Sequence, residues 1–378
     1  MRRTLTKTAG ENPFDELPEA LVEEMLSQCD ELGQELSRSF KKVYDSKKEI
    51  REKLKSAGIL RRDTLLSVAP SHPTSCGIDG AFAVERLLYT DMVAIAGVAV
   101  EGLTPPTEKR YWPKPHHLSK ILTASHNEAT VLIARAAMIC MELELAAKAP
   151  HDVVLLDGSL ITPLIYLNQA ISRLKEAPRV LSSFFENLLP SALESYIIIL
   201  RSERTDKIFV GMPKYTTKKE ISKKLSIPDE YEDRGLLTFV MDSGEFVGPL
   251  PIDKQQWHIS AHGQTESLVE KVISAAGDLY IIYYRPYDHF PALRLEIAQS
   301  IATNPQRLAV LFESLRLQCG SPSIMEPYPL YLADRMVKHL ATGLPAIRRA
   351  TTNEMSLKWE DSLGNMYLAM HGYRTEIG

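Results

Sequence analysis

The spacing of apolar positions divides the chain into segments of different period. From Leu17 to about Ala57, Met25, Cys29, Leu32, Leu36, Phe40, Val43, Ile50 and Leu54 recur at three-, four- and seven-residue steps with charged residues between them. That pattern predicts an amphipathic helix or helical hairpin, packed on its own domain or forming a dimer or partner surface. Residues 66–102 are rich in β-formers and small residues, interrupted at Pro, Gly and Asp, and predict two or three strands in a meander. Residues 103–120 are Pro-rich and read as a connector. Residues 126–148 are strong helix formers. The run Val153–Leu156 is too short for a helix and apolar on both faces, which suits a buried parallel strand.

Residues 163–187 return to helical spacing, and KIFVGMPK (207–214) predicts another short strand. Further strands are expected near 236–241, 278–284 and 292–297, then a helix to about Leu317. A turn-like stretch, SPSIMEPYPL, precedes a helix from about Leu330 to Ala341. The order β-β-β-α-β-α-β with later additions predicts an α/β fold on a mixed sheet. Residues 225–275 carry no recognisable role.

Composition removes several classes of function. In 378 residues, 44 Lys plus Arg against 48 Asp plus Glu leave a net charge of −4, which argues against nucleic-acid binding by bulk charge but leaves room for a local basic groove. Cys29, Cys76, Cys140 and Cys319 are scattered, without the Cys-x-x-Cys spacing of zinc or redox sites, and fit a reducing compartment. Basic residues open the chain, but no apolar stretch follows them, and no apolar run is long enough for a membrane span. A cytoplasmic protein without membrane contact is expected. There is no Gly-x-x-x-x-Gly-Lys-Ser/Thr loop for ATP and no Gly-x-Ser-x-Gly elbow. His116, His117, His126, His151, His289 and His339 lack metal-ligand spacing.

Two segments share a design that carries chemistry. In SCGIDGAFA, Asp79 is read as ending a strand before Gly80; in VVLLDGSL, Asp157 ends a strand before Gly158. Such carboxylates point into the crevice of an open sheet, although Asp-Gly is also a common turn signal. Glu142 and Glu144, on the helix before Asp157, are two residues apart and face different sides, so at most one can join them. Glu128 is a weaker candidate, and Glu326 and Asp334 lie in the tail. Carboxylates that converge repel one another unless divalent cations lie between them. Two such cations, roughly 3.5–4 Å apart, can clamp the attacking and leaving oxygens of a phosphodiester. The stretch from Arg201 to Lys224, including Lys207, Lys214, Lys218, Lys219, Lys223 and Lys224, is the best basic patch for a polyanion or else a solvated face. Tyr215, Tyr283, Tyr284 and Tyr287 could stack on bases or fill the core.

The blocks GIDGAFA, MELELAAK leading into VVLLDGSL, RLEI and EPYPLYLAD, from about residue 75 to 340, resemble the NurA nuclease family. The resemblance implies an RNase H-like mixed-sheet core with an N-terminal helical extension (1–65), a nuclease domain over 66–345 and a C-terminal tail over 346–378 that packs on the core. It implies a Mn²⁺- or Mg²⁺-dependent DNA nuclease with two ions and with 5′–3′ exonuclease and endonuclease activity. It also implies a homodimer that works with a HerA-type hexameric ATPase in end processing or phage defence. Carried over by position, Asp79 and Asp157 match the family's aspartates, and Glu142 or Glu144 its glutamate, with Glu142 preferred. The family's tail block usually reads Tyr-Pro-x-Pro-Leu-x-x-Ala-His, so Asp334 stands where the histidine is expected and Glu326 where the tyrosine is. Asp79, Glu142, Asp157 and Asp334 are thus the expected ligands, Glu144 and Glu326 the alternates, and Lys214, Lys218, Lys219, Lys223 and Lys224 the expected DNA contacts. Two other expectations remain open: an inactive subunit that only guides DNA, and an enzyme acting on RNA or branched DNA.

Overall fold

The computed structural model describes residues 14, 17–66, 72–105, 107, 110–227, 232–253, 257, 259, 264–360 and 362–377. Residues 1–16, where the sequence shows no periodic pattern and reads as loose, fall almost wholly outside them. Two helices open the described chain, α1 (Glu19–Ser27) and α2 (Cys29–Ser56), followed by the short strand β1 (Leu60–Arg62). Then come β2 (Ser75–Leu87), β3 (Asp91–Glu101), β4 (His116–Ala124), α3 (Thr130–Lys148), β5 (Val153–Asp157), α4 (Thr162–Arg173), α5 (Arg179–Arg201) and β6 (Ile208–Met212). The second half adds α6 (Glu220–Lys224), α7 (Asp233–Val240), β7 (Glu245–Pro251), α8 (Gln264–Ala276), β8 (Leu279–Arg285) and β9 (Leu293–Ala298). It ends with α9 (Gln299–Ala302), α10 (Pro305–Gln318), α11 (Tyr328–Ser356), α12 (Leu363–Ala369) and β10 (Gly372–Ile377).

The strands form one mixed sheet in the order β1-β7-β8-β9-β6-β5-β2-β3-β4. The α/β mixed-sheet fold read from the pattern is therefore borne out. β5 is parallel to β2 and to β6, while β3 and β4 continue from β2 as an antiparallel meander. Along one edge of β2, β5 pairs with Ser75–Ile78 and β10 pairs with Ala83–Leu87. Helices cover both faces. On one, α3, α4, α5 and α8 enclose Ile78, Ile133, Val154, Tyr196 and Phe209. On the other, α10 packs Leu311 and Phe312 against Leu155, Val210 and Tyr284, while Leu344 of α11 meets Ala83, Leu87 and Ala94. Successive strand residues point to opposite faces. Asp79 and Asp157 consequently share the face covered by α11.

Several expectations are corrected. The 103–120 connector ends in a strand, β4, whose residues are mostly exposed, so its pattern HHLSKILTA carried no buried face to read. Residues 236–240 are helix and Met241 is extended, because Glu232 caps α7 by accepting from the Arg234 and Gly235 amides. The strand lies just beyond, at β7, where Gly248 and Pro249 masked it. The helical pattern at 163–187 is two helices separated at Ala177–Pro178, and the second runs on to Arg201. The tail helix continues to Ser356.

In the N-terminal helices only the last part of the predicted stripe is covered. Val43, Ile50 and Leu54 are buried against α7 and β8, whereas Met25, Leu32, Leu36 and Phe40 are exposed. Arg51 fixes this helix to the sheet, donating to both oxygens of the buried Glu245 carboxylate at 2.7 and 2.8 Å. Arg51→Ala is expected to leave that carboxylate without its main partner and to cost about 2–3 kcal/mol. That is below the ~3–5 of a fully buried pair because Arg51 is partly exposed and Arg62 can approach the same carboxylate. Thermal unfolding and protease cleavage near residue 57 check it; an unchanged melting temperature overturns it.

Candidate metal centre

Asp157 is the last residue of β5, and the β2–β5 register pairs Ile78 with Leu156, so Asp79 and Asp157 stand on the next rung of adjacent strands. Asp79 does not end a strand as the sequence pattern predicted. It lies within β2, whose ladder with β3 runs unbroken through Gly80. The Asp79-Gly80 pair is therefore no turn. A Cβ at Gly80 would lie 2.6 Å from Glu142 Oε1 and 2.8 Å from Met138 Cγ, so the missing side chain is what lets Glu142 of α3 approach. Gly158, in contrast, has φ +93° and does turn the chain after Asp157.

Asp334 arrives from the second turn of α11. Ligand atoms of Asp79, Asp157 and Asp334 all lie within 4.8 Å of one another. Glu142 reaches toward the pair from the α3 side, next to the Gly80 amide, and lies outside the group of three. Glu144 points elsewhere: it accepts from Ser191 at 2.5 Å and pairs with Lys148 at 3.1 Å. Glu326 meets the cluster through a cation. Lys214 Nζ lies 2.8 Å from Asp157 Oδ2, 2.9 Å from Glu326 Oε2 and 3.4 Å from Asp334 Oδ1. Lys338 pairs with the other Asp334 oxygen at 2.6 Å. Glu326 and Asp334 thus both face a lysine at this centre.

The electrostatics follow from this crowding. Burial, then the charge of Asp157, pushes the Asp79 carboxyl up to about 7, against the pull of the Gly80 amide and Lys214. Burial and the charges of Asp79 and Asp157 raise Glu142 well above the carboxylate range. Burial would raise Asp334 too, but Lys338 and Lys214 outweigh it and hold its carboxyl low. Burial opposes the charged form of Lys214, yet Asp157 and Glu326 more than compensate and raise it. An all-oxygen donor set of this kind fits hard divalent ions such as Mg²⁺ or Mn²⁺.

A pH dependence follows. Between the unfolded carboxyl value of 3.8 and the folded value of about 7, the native protein holds the extra proton, so metal-free stability falls as pH rises through that window. A divalent ion must displace that proton. Mn²⁺ affinity is expected to weaken about tenfold per pH unit below 7 for each proton released, and to level off above. Calorimetric titrations at pH 6 and 8 check this, and equal affinities at the two values overturn it.

The basic stretch is reduced by the structure. Arg204 pairs with Asp206 at 2.6 Å, Arg201 lies 3.7 Å from Glu203, and Lys207 is buried, donating to the Ala149 carbonyl. Lys218, Lys223 and Lys224 are exposed, and Lys219 is half-buried. Lys214 and Lys218, with the exposed Tyr215, line a groove of about 790 Å³ that meets the aspartate cluster through Lys214. Tyr283 and Tyr284 are core residues, and Tyr287 stacks on His289. Sequence reasoning missed Arg234, whose guanidinium binds the carbonyls of Lys214 and Ala292 and so pins the backbone that carries Lys214. Nothing in its spacing signals that role.

The family comparison decides membership: the NurA domain matches residues 31–338. The chain belongs to the NurA family. No curated protein matches it. Among solved structures, the NurA nuclease from Sulfolobus solfataricus is similar over 91% of this chain and 99% of its own, with a TM-score of 0.60 at 13% identity. A second NurA structure covers 88% of this chain and 99% of its own at TM-score 0.51 and 12% identity. A NurA structure with manganese covers 84% and 98% at TM-score 0.50 and 14% identity. At such identities the likeness is one of fold. Among the described residues, no helix is long and apolar enough to cross a membrane.

Proposed function

We propose that this NurA chain is a metal-dependent DNA nuclease that hydrolyses phosphodiester bonds at the Asp79–Asp157–Asp334 cluster. The observation that carries the reading is the convergence of three aspartate oxygens within 4.8 Å on one face of the sheet, in a chain of this family. A similar NurA structure holds manganese, which supports Mn²⁺ or Mg²⁺ as the ion. When bound, a divalent ion supplies Lewis acidity and activation of water. The protein's part is positional. Asp79, Asp157 and Asp334 provide ligands, Glu142 backs them from α3, and Lys214 faces the phosphate. A pair of ions, expected from the resemblance, would need a second set of open oxygens, and Lys214 already contacts those of Asp157, Glu326 and Asp334.

The strand order β4-β3-β2-β5-β6, with β2, β5 and β6 parallel, supports the RNase H-like reading of the core. Lys218 in the lining of the groove, and the exposed Lys223 and Lys224 a few residues further on, support contact with the DNA backbone. The exposed Met25, Leu32, Leu36 and Phe40 support a protein contact through the N-terminal helices, either in a homodimer or on a HerA-type hexameric ATPase. Cleavage with 5′–3′ polarity, endonuclease activity, a cytoplasmic setting and a role in end processing or phage defence belong to the same proposal.

The test is digestion of end-labelled linear and circular DNA in EDTA, Mg²⁺ or Mn²⁺, with and without a HerA-type ATPase. Cutting that requires the metal is expected. An absence of cutting in every condition would leave the inactive, DNA-guiding subunit as the better reading.

A further inference from the structure

Lys214 is an unusual lysine. It follows β6 by two residues, directly after Pro213, whose ring fixes the local backbone. Arg234 binds its carbonyl, and the same guanidinium is anchored 2.9 Å from the Ala292 carbonyl. The side chain is mostly buried and ends among three carboxylates, unlike the exposed lysines at 218, 223 and 224. Asp157 presents one oxygen to it and also belongs to the cluster of aspartates. It thus lies between the aspartate cluster and the ammonium.

We propose that the Lys214 ammonium is the second cation of this centre, so that Asp79, Asp157 and Asp334 hold one divalent ion and Lys214 stands where another would lie. This rests on the metal-dependent reading above and changes its stoichiometry. A second divalent ion and the ammonium cannot both occupy the space between Asp157 and Glu326. Their like charges repel in a poorly solvated site, and a displaced Lys214 would lose partners at 2.8 and 2.9 Å. Glu326 then balances and orients the ammonium, and is not itself a metal ligand. Of the three contacts of Lys214, the one to Asp334 is longest, and that carboxylate is already held by Lys338 at 2.6 Å. This contact is the one that can yield, turning an N–H toward a phosphate oxygen. Lys214 would stabilise charge on the phosphate as a fixed donor, without giving up its proton.

The experiment counts Mn²⁺ bound per full-length chain, by the electron paramagnetic resonance signal of free Mn²⁺ and by calorimetry. Wild type, Lys214→Arg and Lys214→Met are compared. One ion is expected for wild type and for Lys214→Arg, which keeps the charge. Two are expected for Lys214→Met, where the oxygens of Asp157 and Glu326 are released. Two ions of comparable affinity in wild type would overturn the assignment, and so would a folded Lys214→Met that still takes one. The wild-type count decides even where a variant is unstable. Wild type that binds no ion would overturn the metal-dependent reading itself, a different outcome from binding two.

Discussion

Asp157→Asn is expected to reduce DNA cleavage by about 10³-fold or more while leaving the fold intact. The substitution keeps the shape of the side chain and one acceptor oxygen, but removes a charge on which two things depend. Asp157 is the member of the aspartate cluster that also holds Lys214, at 2.8 Å. Its loss therefore weakens ion binding and frees one arm of the ammonium at once. The remaining Glu326 contact, at 2.9 Å, keeps Lys214 near the centre, so the two effects separate: Mn²⁺ affinity falls further than the order of the 214 side chain does. A second signature distinguishes a positional role from a merely structural one. The charge of Asp157 is, after burial, the main reason that Asp79 is raised to about 7. In Asp157→Asn, Asp79 should ionise at lower pH, and the pH dependence of the residual Mn²⁺ binding should shift downward. Stability in the absence of metal should change little, since relief of the like-charge pair with Asp79 offsets the loss of the Lys214 pair. Cleavage within tenfold of wild type would remove Asp157 from the reaction.

The parts of this architecture that are legible in the sequence are those whose signal is local. Val153–Leu156 is apolar on both faces and too short for a helix, and it lies at the centre of the sheet with Asp157 at its end. Glu142 and Glu144 can be separated only as facing different sides of one helix; which side meets the crevice depends on Gly80, a contact across 62 positions of sequence. Asp79 stands out in the sequence for a reason that does not hold. Its Gly neighbour suggests a turn, whereas the strand continues and the glycine makes room for a glutamate. Lys214 is visible as a basic residue after a strand, but the carboxylates it meets come from β5, the turn at Glu326 and α11, and no spacing rule joins them. The basic run from Arg201 misleads because composition does not reveal that Arg201 and Arg204 face acids or that Lys207 is buried. β7 is hidden by Gly248 and Pro249, residues that punctuate most strands but sit here inside one.

Gly77→Ala is expected to disable the centre from a position that holds no ligand. Gly77 lies two residues before Asp79 on β2, paired with Val100 on one side and Leu155 on the other. A Cβ there would sit 2.5 Å from the Leu330 amide nitrogen and the Pro329 carbonyl carbon, and 2.7 Å from the Pro329 carbonyl oxygen. These are backbone atoms of the first turn of α11, and they cannot swing aside as a side chain can. Either the β2 ladder or the helix must move, and the ladder is held by strands on both sides, so the helix moves. Asp334 lies four residues beyond Leu330 on that helix, and Glu326 lies just before it. A displacement of about 1 Å is enough to cost roughly 10²-fold in rate when it misplaces reacting groups. The overpacking itself is expected to cost about 1–3 kcal/mol. Gly97→Ala on β3 is the control, because its Cβ would meet Leu145 Cδ1 at 3.1 Å, the far end of a flexible side chain. Mn²⁺ binding, cleavage and thermal unfolding of the two variants separate local damage from global damage. Gly77→Ala should lose metal affinity and activity out of proportion to its stability, and Gly97→Ala should lose little of any. Full metal affinity in Gly77→Ala would mean that α11 does not set the position of Asp334.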